Sequence, residues 1–525
     1  MKIFILFIFS RVLFGQAEYI VPFDWGGQNG VLVHDGALHW NRSWTSGVLL
    51  FDGTYSTYPK KYGNHTSNRF NSLKIGSLPT FKDAPDSTQN ISYFDYSRGD
   101  YNYDQLGLGV NYESKNQYIH IKGFKRSLGG NTGHYFHPSG KNSPIHHSYR
   151  IDYGILKKGK QIEAGVGRYI TSSGLPDSTE NGLENENIIT AGIRIKQSLG
   201  NWKLNTHFAN FQQHRLIHHT SFIDTNYRDI NRSLLNLQIE SKNGKIIGLQ
   251  HQAQNINSNI HNRRLAWTKI YGKQTFKKFS LLGGVQLLNS DDVFPFVWEF
   301  GYSNQFNKVY LELLSNGSQE PKHPDLDDSN DMFSFDYWNR ATLKMGVNSS
   351  NLNFSVYLST TKRSSKVFKG SNIIFVGGDL TYSYQNGWSL FSSITTQLDT
   401  SSFGAGGGTY YNTGINGKAH LFNKNMNIDL KLWVNGTEGR NSKFGFDPIR
   451  HVPFLNTNSS WVIPDQWLIH FEAKANISSV LVHYKINNIL NALGATNDDN
   501  WFRPNHVFPQ LGRMVQFGVT WYFKN

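Results

Sequence analysis

The sequence predicts an all-β protein, a transmembrane antiparallel up-and-down β-barrel of about 22 strands, give or take two. Three observations predict this fold class. Many segments alternate apolar and polar residues with a period of two, which is the pattern of a strand with one buried or lipid-facing side. The connections between these segments alternate between short turns and long polar loops. The last segment, residues 512–523, is itself such a strand and ends in aromatic side chains.

The composition of the 525-residue chain agrees with this fold class. Charged residues make up 17% and aromatic residues 14% of the chain, whereas an ordinary soluble domain carries about 25% charged residues. Half of the strand positions in a membrane barrel face lipid, which explains the shift. No apolar run long enough for a membrane helix follows the first residues. The absence of cysteine excludes disulfides and thiolate zinc sites, and no cofactor is expected.

Residues 1–17 resemble a secretory signal peptide. Lys2 precedes an apolar run at 3–9, and Gly15 and Ala17 supply the small residues of a cleavage site. Arg11 interrupts the apolar region, and a buried N-terminal strand is the alternative. The chain has a net charge of +14. Such a charge often indicates binding to nucleic acid or to anionic surfaces. An exported barrel instead places the positive charge in its lumen and loops, so no nucleic acid partner is expected.

The strand pattern repeats along the chain after about residue 90. Leu106, Leu108 and Val110 alternate with Gly107 and Gly109. The same alternation occurs at 189–196, 352–358, 426–434, 467–476 and 480–487. No amphipathic helix of comparable length is evident. The segment 90–525 is therefore predicted to be the barrel. Segment 18–89 is less regular, and extra strands, a partial plug and an arm entering the lumen remain equal alternatives for it.

The connections differ in length in a regular way. Short polar turns are predicted at 114–116, 157–159, 199–200, 242–244, 385–387, 423–424 and 477–478. Asn243 and Gly244 suit a tight hairpin, since both can take positive φ. Long segments lie at 127–146, 171–187, 211–229, 315–333, 435–465 and 489–511. An even strand number then places both termini at the periplasmic, short-turn side and the long loops outside.

The end of the chain resembles the C-terminal end of TonB-dependent receptor barrels. The resemblance rests on the closing strand, on residues 484–490 and on Gly512 and Arg513, which open that strand. It implies the outer membrane of a Gram-negative-type bacterium and recognition of the last strand by the barrel-assembly machinery. Two features depart from the family. Segment 18–89 is too short for its globular plug and has no evident TonB box, and Lys524 and Asn525 follow the last aromatic residue. The sequence therefore predicts a plugless, porin-like barrel.

The polar parity of each strand identifies the residues expected to line the lumen. The basic ones are Lys122, Arg150, Arg194, Lys196, Lys203, Arg340, Lys344, Lys431, Lys474 and Lys485. The acidic ones are Asp152, Glu163, Glu240, Asp429 and Glu472. An excess of positive charge attracts anions in a confined space, so the pattern predicts a weakly anion-preferring pore. The alternative is a set of ion pairs that only hold the wall together.

Histidines and acidic residues cluster in the long segments, where such side chains can act as metal ligands. The histidines are His134, His137, His146 and His147 in one segment and His214, His218 and His219 in another. Their spacing matches no zinc pattern, and the acidic run at 325–331 lacks the order of a calcium loop. We expect solvated loop residues and no metal. The glycine-rich stretch 404–408 does not lie between a strand and a helix, so it is not a phosphate-binding loop.

The sequence thus predicts a channel or transporter that passes or binds small solutes across the outer membrane. The lipid of this membrane is an expected partner of the barrel. One alternative is a barrel-anchored protein for surface binding or assembly. The sequence does not identify a periplasmic or surface partner protein. A remote alternative is an outer-membrane hydrolase. No local motif orders a nucleophile, a base and an orienting group, and the protein is not expected to be an enzyme.

Overall fold

A computed structural model describes most of the predicted barrel and short pieces of the segment before it. The described residues are 18–19, 31–34, 37–40, 88–100, 102–127, 145–174, 182–219, 226–259, 262–288, 296–321, 335–364, 371–384, 387–398, 409–423, 425–439, 444–447, 452–455, 465–492 and 513–524. The proposed signal peptide at 1–17 lies outside them, as do the acidic run at 325–331 and the glycine-rich stretch at 404–408. The proposed division of the chain at residues 17 and 89 stays a prediction.

The described strands are numbered in chain order. Ahead of the barrel lie β1 (Glu18–Tyr19), β2 (Val31–His34) and β3 (Ala37–Trp40), which form a three-stranded antiparallel sheet. The first half of the barrel comprises β4 (Gln89–Gly99), β5 (Tyr103–Glu113), β6 (Gln117–Ser127), β7 (Ile145–Lys157), β8 (Lys160–Gly174), β9 (Gly182–Leu199), β10 (Trp202–His219), β11 (Asn226–Ser241), β12 (Lys245–Ser258), β13 (Asn262–Thr275) and β14 (Phe279–Leu288).

The second half of the barrel comprises β15 (Phe296–Phe306), β16 (Val309–Pro321), β17 (Phe335–Asn348), β18 (Leu352–Ser364), β19 (Ser371–Ser383), β20 (Ser389–Gln397), β21 (Thr409–Leu421), β22 (Met426–Glu438), β25 (Gln466–Ile477), β26 (Val480–Asn487) and β27 (Met514–Lys524). Between β22 and β25, β23 (Phe444–Asp447) pairs with β24 (Val452–Leu455). A four-residue helix, α1 (Ile489–Ala492), follows β26.

The 22 strands of the barrel close into one antiparallel sheet. Each strand pairs with its neighbours along the barrel, and β27 pairs with β4 from Gln516 opposite Gly99 to Lys524 opposite Ile91. This confirms the predicted fold class and strand number. No helix among the described residues is long and apolar enough to cross a membrane.

The two ends of the barrel differ in their connections. At one end, called the short-turn end, strands are joined at 114–116, 158–159, 200–201, 242–244, 276–278, 307–308, 349–351, 384–388, 422–425 and 478–479. Gly159, Gly200 and Gly244 have φ values of 77°, 62° and 75°, which tight turns require and glycine adopts without strain. The opposite end, called the long-loop end, holds the longer connections, although those at 100–102 and 259–261 are short.

Two of the predicted long loops are largely strand. Most of segment 211–229 belongs to β10 and β11, and most of 171–187 belongs to β8 and β9. Both faces of these strands become polar towards the long-loop end. Polar residues on both faces remove the period-two alternation from the sequence. A strand that continues beyond the apolar band is therefore predicted to be a loop.

The two faces of the wall differ in character. One parity of each strand carries exposed apolar side chains, such as Val166, Met345, Leu432 and Phe517, which are 49%, 48%, 47% and 53% exposed. A closed sheet has no free edge, and an exposed apolar band of this kind faces lipid in an outer-membrane barrel. We call this parity the outer face and the opposite parity the inner face.

Aromatic side chains on the inner face lie over glycines of the neighbouring strand. Tyr118 of β6 stands opposite Gly154 of β7, and Tyr357 of β18 stands opposite Gly377 of β19. A Cβ atom at either glycine would collide with the tyrosine ring. Glycine therefore allows the ring to lie flat against the wall, where Tyr118 and Tyr357 are only 4% and 7% exposed.

Candidate functional site

The inner face of the barrel wall is the candidate site. The ten basic residues predicted from the sequence lie on β6, β7, β9, β10, β17, β22, β25 and β26. Each occupies the parity opposite the apolar band: Lys344, for example, lies between the exposed Leu343 and Met345. The side chain of Arg340 lies outside the described residues. That these residues line a path for solutes stays a prediction.

Two of the predicted basic residues form buried ion pairs on β7, β8 and β9. Arg150 and Asp152 are joined at 2.8 Å, with side chains 4% and 2% exposed. Arg194 of β9 forms an ion pair with Glu163 of β8, directly across the strand pair. The Glu163 side chain is fully buried, and it accepts a second hydrogen bond of 2.9 Å from Gln161 Nε2. These arginines therefore have their charge compensated locally within the wall.

Three further lysines have acidic neighbours. Lys474 lies 3.0 Å from Glu472 on the same strand. Lys344 stands opposite Glu312, and Lys203 stands opposite Glu240. The excess of positive charge counted from the sequence is thus reduced where strand register brings opposite charges together.

A cluster of lysines and aromatic rings lies on β20, β22, β25 and β26. The ammonium of Lys431 is 4.8 Å from the ring centre of Phe391 and 4.9 Å from that of Trp433. The ammonium of Lys485 is 6.0 Å from the same Trp433 ring. Trp433 also stacks on His470 with a centroid distance of 5.0 Å. We call Phe391, Lys431, Trp433, His470 and Lys485 the Trp433 cluster.

Strand register explains how the Trp433 cluster forms. Trp433 stands opposite His470, and Glu472 stands opposite both Lys431 and Lys485. His470 is 2% exposed and its Nδ1 lies 3.2 Å from Oδ1 of Asn487, which holds the ring behind Trp433. A lysine ammonium is attracted to an aromatic face, so the rings help to position the two lysines on the inner face, on either side of the Glu472 carboxylate.

Sequence reasoning found Lys431 and Lys485 but missed the aromatic partners. The available signal was an aromatic residue on the polar parity of β22, since Trp433 follows Asp429 and Lys431 at intervals of two. A large ring at a lumen-facing position has no lipid to contact, so its presence there indicates a packing or binding partner.

The histidines predicted to lie in loops lie mainly in strands. His147 belongs to β7, and His214, His218 and His219 belong to β10, because both strands continue past the apolar band. His134 and His137 lie outside the described residues. Within the described ranges, no group of three or more His, Asp or Glu residues is placed to hold a metal ion.

A cleft of about 380 Å³ opens on β9–β12 towards the long-loop end. Asn187, Gln212, His214, Asp229, Asn231, Asn255 and Asn257 contribute polar side chains to its lining. His214 Nδ1 contacts the Asp229 carboxylate, which resembles the base and orienting group of a hydrolase. The described residues that line the cleft include no Ser, Thr or Cys, so this pair has no nucleophile beside it.

No protein-family model and no curated protein sequence matches the chain. Solved structures match its fold. The iron transporter FrpB from Neisseria meningitidis superposes with a TM-score of 0.63 at 10% identity, over 84% of this chain and 82% of that one. The ferric enterobactin receptor PfeA from Pseudomonas aeruginosa gives 0.64 at 8% identity, over 84% and 81%. The copper transporter OprC gives 0.61 at 10% identity, over 85% and 82%.

These neighbours share the closed barrel, and at such low identity the likeness concerns the fold. The lipid-facing band, the closed sheet of 22 strands and these superpositions agree with one another. The chain is therefore a closed β-barrel with the architecture of these transporters and receptors.

Proposed function

We propose that the barrel passes or binds small solutes in the outer membrane, with a weak preference for anions. The observation that carries the proposal is the Trp433 cluster on the polar inner face of a wide, closed barrel. A barrel of 22 strands either encloses a plug or leaves an aqueous path. In both cases, solutes that enter meet the inner face.

The anion preference rests on Lys431 and Lys485. Arg150, Arg194 and Lys474 have acidic partners, whereas Lys431 and Lys485 stand on either side of one carboxylate, that of Glu472. Because Lys474 forms its ion pair with the same Glu472, three ammonium groups share one carboxylate, which leaves a local excess of positive charge. Confinement by a low-dielectric wall strengthens its effect on passing ions, and the preference should be modest because most other charges are balanced.

The fold neighbours support transport as the general role. Their names state transport or reception of iron, ferric enterobactin and copper. For this chain we propose a small solute of unspecified class, a non-enzymatic role, and termini at the periplasmic side with the long-loop end outside. The proposal applies with or without residues 18–89 in the lumen, and with or without an energising partner.

Ion selectivity in a planar lipid bilayer tests the proposal. A salt gradient across the bilayer should give a reversal potential that indicates anion preference at low salt. The preference should fade towards 1 M salt, where the screening length falls to about 3 Å. The double variant Lys431→Gln with Lys485→Gln should lose most of the preference.

The matched control replaces two lysines of the short-turn end, Lys277→Gln with Lys308→Gln, which changes the net charge equally and should keep the preference. Cation selectivity of the unmodified protein, or an equal loss in both double variants, would contradict the assignment to the Trp433 cluster.

A further inference from the structure

A row of mainly polar side chains crosses the outer face of β8–β13 in cross-strand register. Cross-strand register aligns the residues in the order Arg168, Ile189, Gln212, Asn231, Asn255 and Arg264. The three amides line the cleft described above, and an arginine stands at each end. We call these six residues the outer-wall row. Five interstrand spacings separate its two arginines, which amounts to about 24 Å.

The next row towards the long-loop end is also polar. It contains Asn187, His214, Asp229 and Asn257, and Nε of Arg168 donates a 3.0 Å hydrogen bond to Oδ1 of Asn187. Lys125 extends it towards β6 through its pairing with His147. Amides therefore fill the middle of this surface, and cationic side chains stand at its edges.

The residues below the row are mainly apolar or small, with two polar exceptions: Asn210, whose Nδ2 donates a 3.1 Å hydrogen bond to Oδ1 of Asn231, and His251, which contacts Thr268. Ile193 stands opposite Phe208, and Phe208 opposite Leu235, two rows closer to the short-turn end. Ile193 and Phe208 are 38% and 43% exposed, as lipid-facing side chains are. The same strands thus present a mainly apolar surface below and a polar, cation-flanked surface above.

The middle of the outer-wall row lies near the edge of the apolar band. Gln212 and Asn255 each lie ten residues along their strands from Trp202 and Lys245 at the short-turn end. A strand rises about 3.3 Å per residue and tilts by about 40°, so ten residues climb about 25 Å, the height of the apolar band of such barrels. With the long-loop end outward, as proposed above, the middle of the row lies near the headgroups of the outer leaflet.

We propose that the outer-wall row is a docking surface for a phosphorylated glycolipid of the outer leaflet. Each part of the surface matches one part of such a lipid. Acyl chains pack on the apolar side chains below. Sugar hydroxyls exchange hydrogen bonds with the amides of Gln212, Asn231 and Asn255, which both donate and accept. The phosphates bind the guanidinium groups of Arg168 and Arg264, whose planar donors suit phosphate oxygens.

Charge and chemistry favour this occupant over a simple phospholipid. A glycerophospholipid headgroup is small and offers few hydroxyl groups to a row of three amides. A phosphorylated sugar head is broad and carries many hydroxyl groups together with its negative charge. Asp229 is the one acidic residue among the described members of these two rows, and it contacts His214 in the middle of the surface, two strands from Arg264 and three from Arg168.

Native mass spectrometry of the full chain in detergent tests the proposal. The probes are bisphosphorylated lipid A, its dephosphorylated form and phosphatidylglycerol. We expect bisphosphorylated lipid A to bind most tightly. The double variant Arg168→Gln with Arg264→Gln should weaken it about tenfold, as loss of charge-assisted contacts implies. The control pair Lys277→Gln with Lys308→Gln should bind as the unmodified protein does.

A second variant separates the sugar contacts from the charge. Asn231→Ala with Asn255→Ala should weaken the phosphorylated and the dephosphorylated lipid A alike. Heat modifiability on gels verifies that each variant is folded. Equal affinity of the arginine variant and the unmodified protein would overturn the proposal. Equal affinity for phosphatidylglycerol would also overturn it, because it would indicate only general attraction of anionic lipid. Neither result bears on ion selectivity, which tests the proposed transport role separately.

Discussion

Thr520 of the last barrel strand donates a hydrogen bond of 2.7 Å from its Oγ1 to Oδ1 of Asp95 on the first barrel strand. The second carboxylate oxygen, Oδ2, accepts a 3.1 Å hydrogen bond from Nε2 of Gln105, whose own oxygen accepts a 2.6 Å hydrogen bond from the Tyr103 hydroxyl. Thr520 and Gln105 are 8% and 7% exposed. One carboxylate thus joins β27, β4 and β5 at the seam where the barrel closes.

The first prediction concerns this seam. Asp95→Ala should destabilise the closed barrel by about 1–3 kcal/mol, because it leaves the buried donors of Thr520 and Gln105 without an acceptor. Asp95→Asn keeps one oxygen acceptor and should cost less. The temperature at which the folded band disappears in a heat-modifiability gel measures the effect. Equal temperatures for Asp95→Ala and the unmodified protein would show that the seam does not depend on this carboxylate.

The second prediction concerns the buried ion pair of Glu163 and Arg194. Arg194→Met should destabilise the barrel by about 3–5 kcal/mol, since it leaves the fully buried Glu163 carboxylate unpaired. The double variant Glu163→Leu with Arg194→Met should recover most of the loss. Urea unfolding in detergent micelles measures both. If the double variant is as unstable as the single one, pairing of these two charges is not what makes Arg194 important.

The third prediction concerns the glycines beneath inner-face tyrosines. Gly377→Ala should lower stability, because the added methyl would collide with the Tyr357 ring. Displacing the ring would also break the 2.5 Å contact between its hydroxyl and Oγ1 of Thr395. Gly283→Ala is the matched control, since a Cβ atom there meets no atom within 4 Å. The melting temperature by circular dichroism should fall for the first variant only; equal shifts would contradict this packing.

The fourth prediction concerns the facing of β25. Phe471→Arg should impair assembly, since a cation facing the middle of the lipid layer costs about 2–4 kcal/mol. Glu472→Ala changes the neighbouring residue on the inner face and should assemble normally. The yield of heat-modifiable protein in outer-membrane fractions checks both variants. Equal yields would contradict the assignment of Phe471 to the lipid-facing side of β25.

The strand pattern and the closing strand were predictable because each depends on local alternation. Leu106 and Leu108 alternate with glycines, and Phe517, Val519 and Trp521 alternate with smaller or polar residues. A lipid-facing band demands this alternation in every strand. The face on which Lys431 or Lys485 lies therefore follows from the neighbouring residues in the sequence.

The partners of those residues could not be predicted in the same way. A slip of two residues between neighbouring strands keeps every side chain on its face but changes every cross-strand pair, while a slip of one exchanges the faces. The pairing of Glu163 with Arg194, and that of Trp433 with His470, depends on register and therefore on the length of each turn. The strand extension through His214 was hidden because both faces of β10 are polar there.

Single-channel recording of the full-length chain in a planar lipid bilayer tests the central claim most directly. A membrane-spanning barrel that admits small solutes should insert in discrete conductance steps, with anions favoured at low salt. Protein that is heat-modifiable, and hence folded, but that produces no conductance step under any voltage would contradict the account. It would leave the barrel as an anchor or a closed receptor instead of a path for solutes.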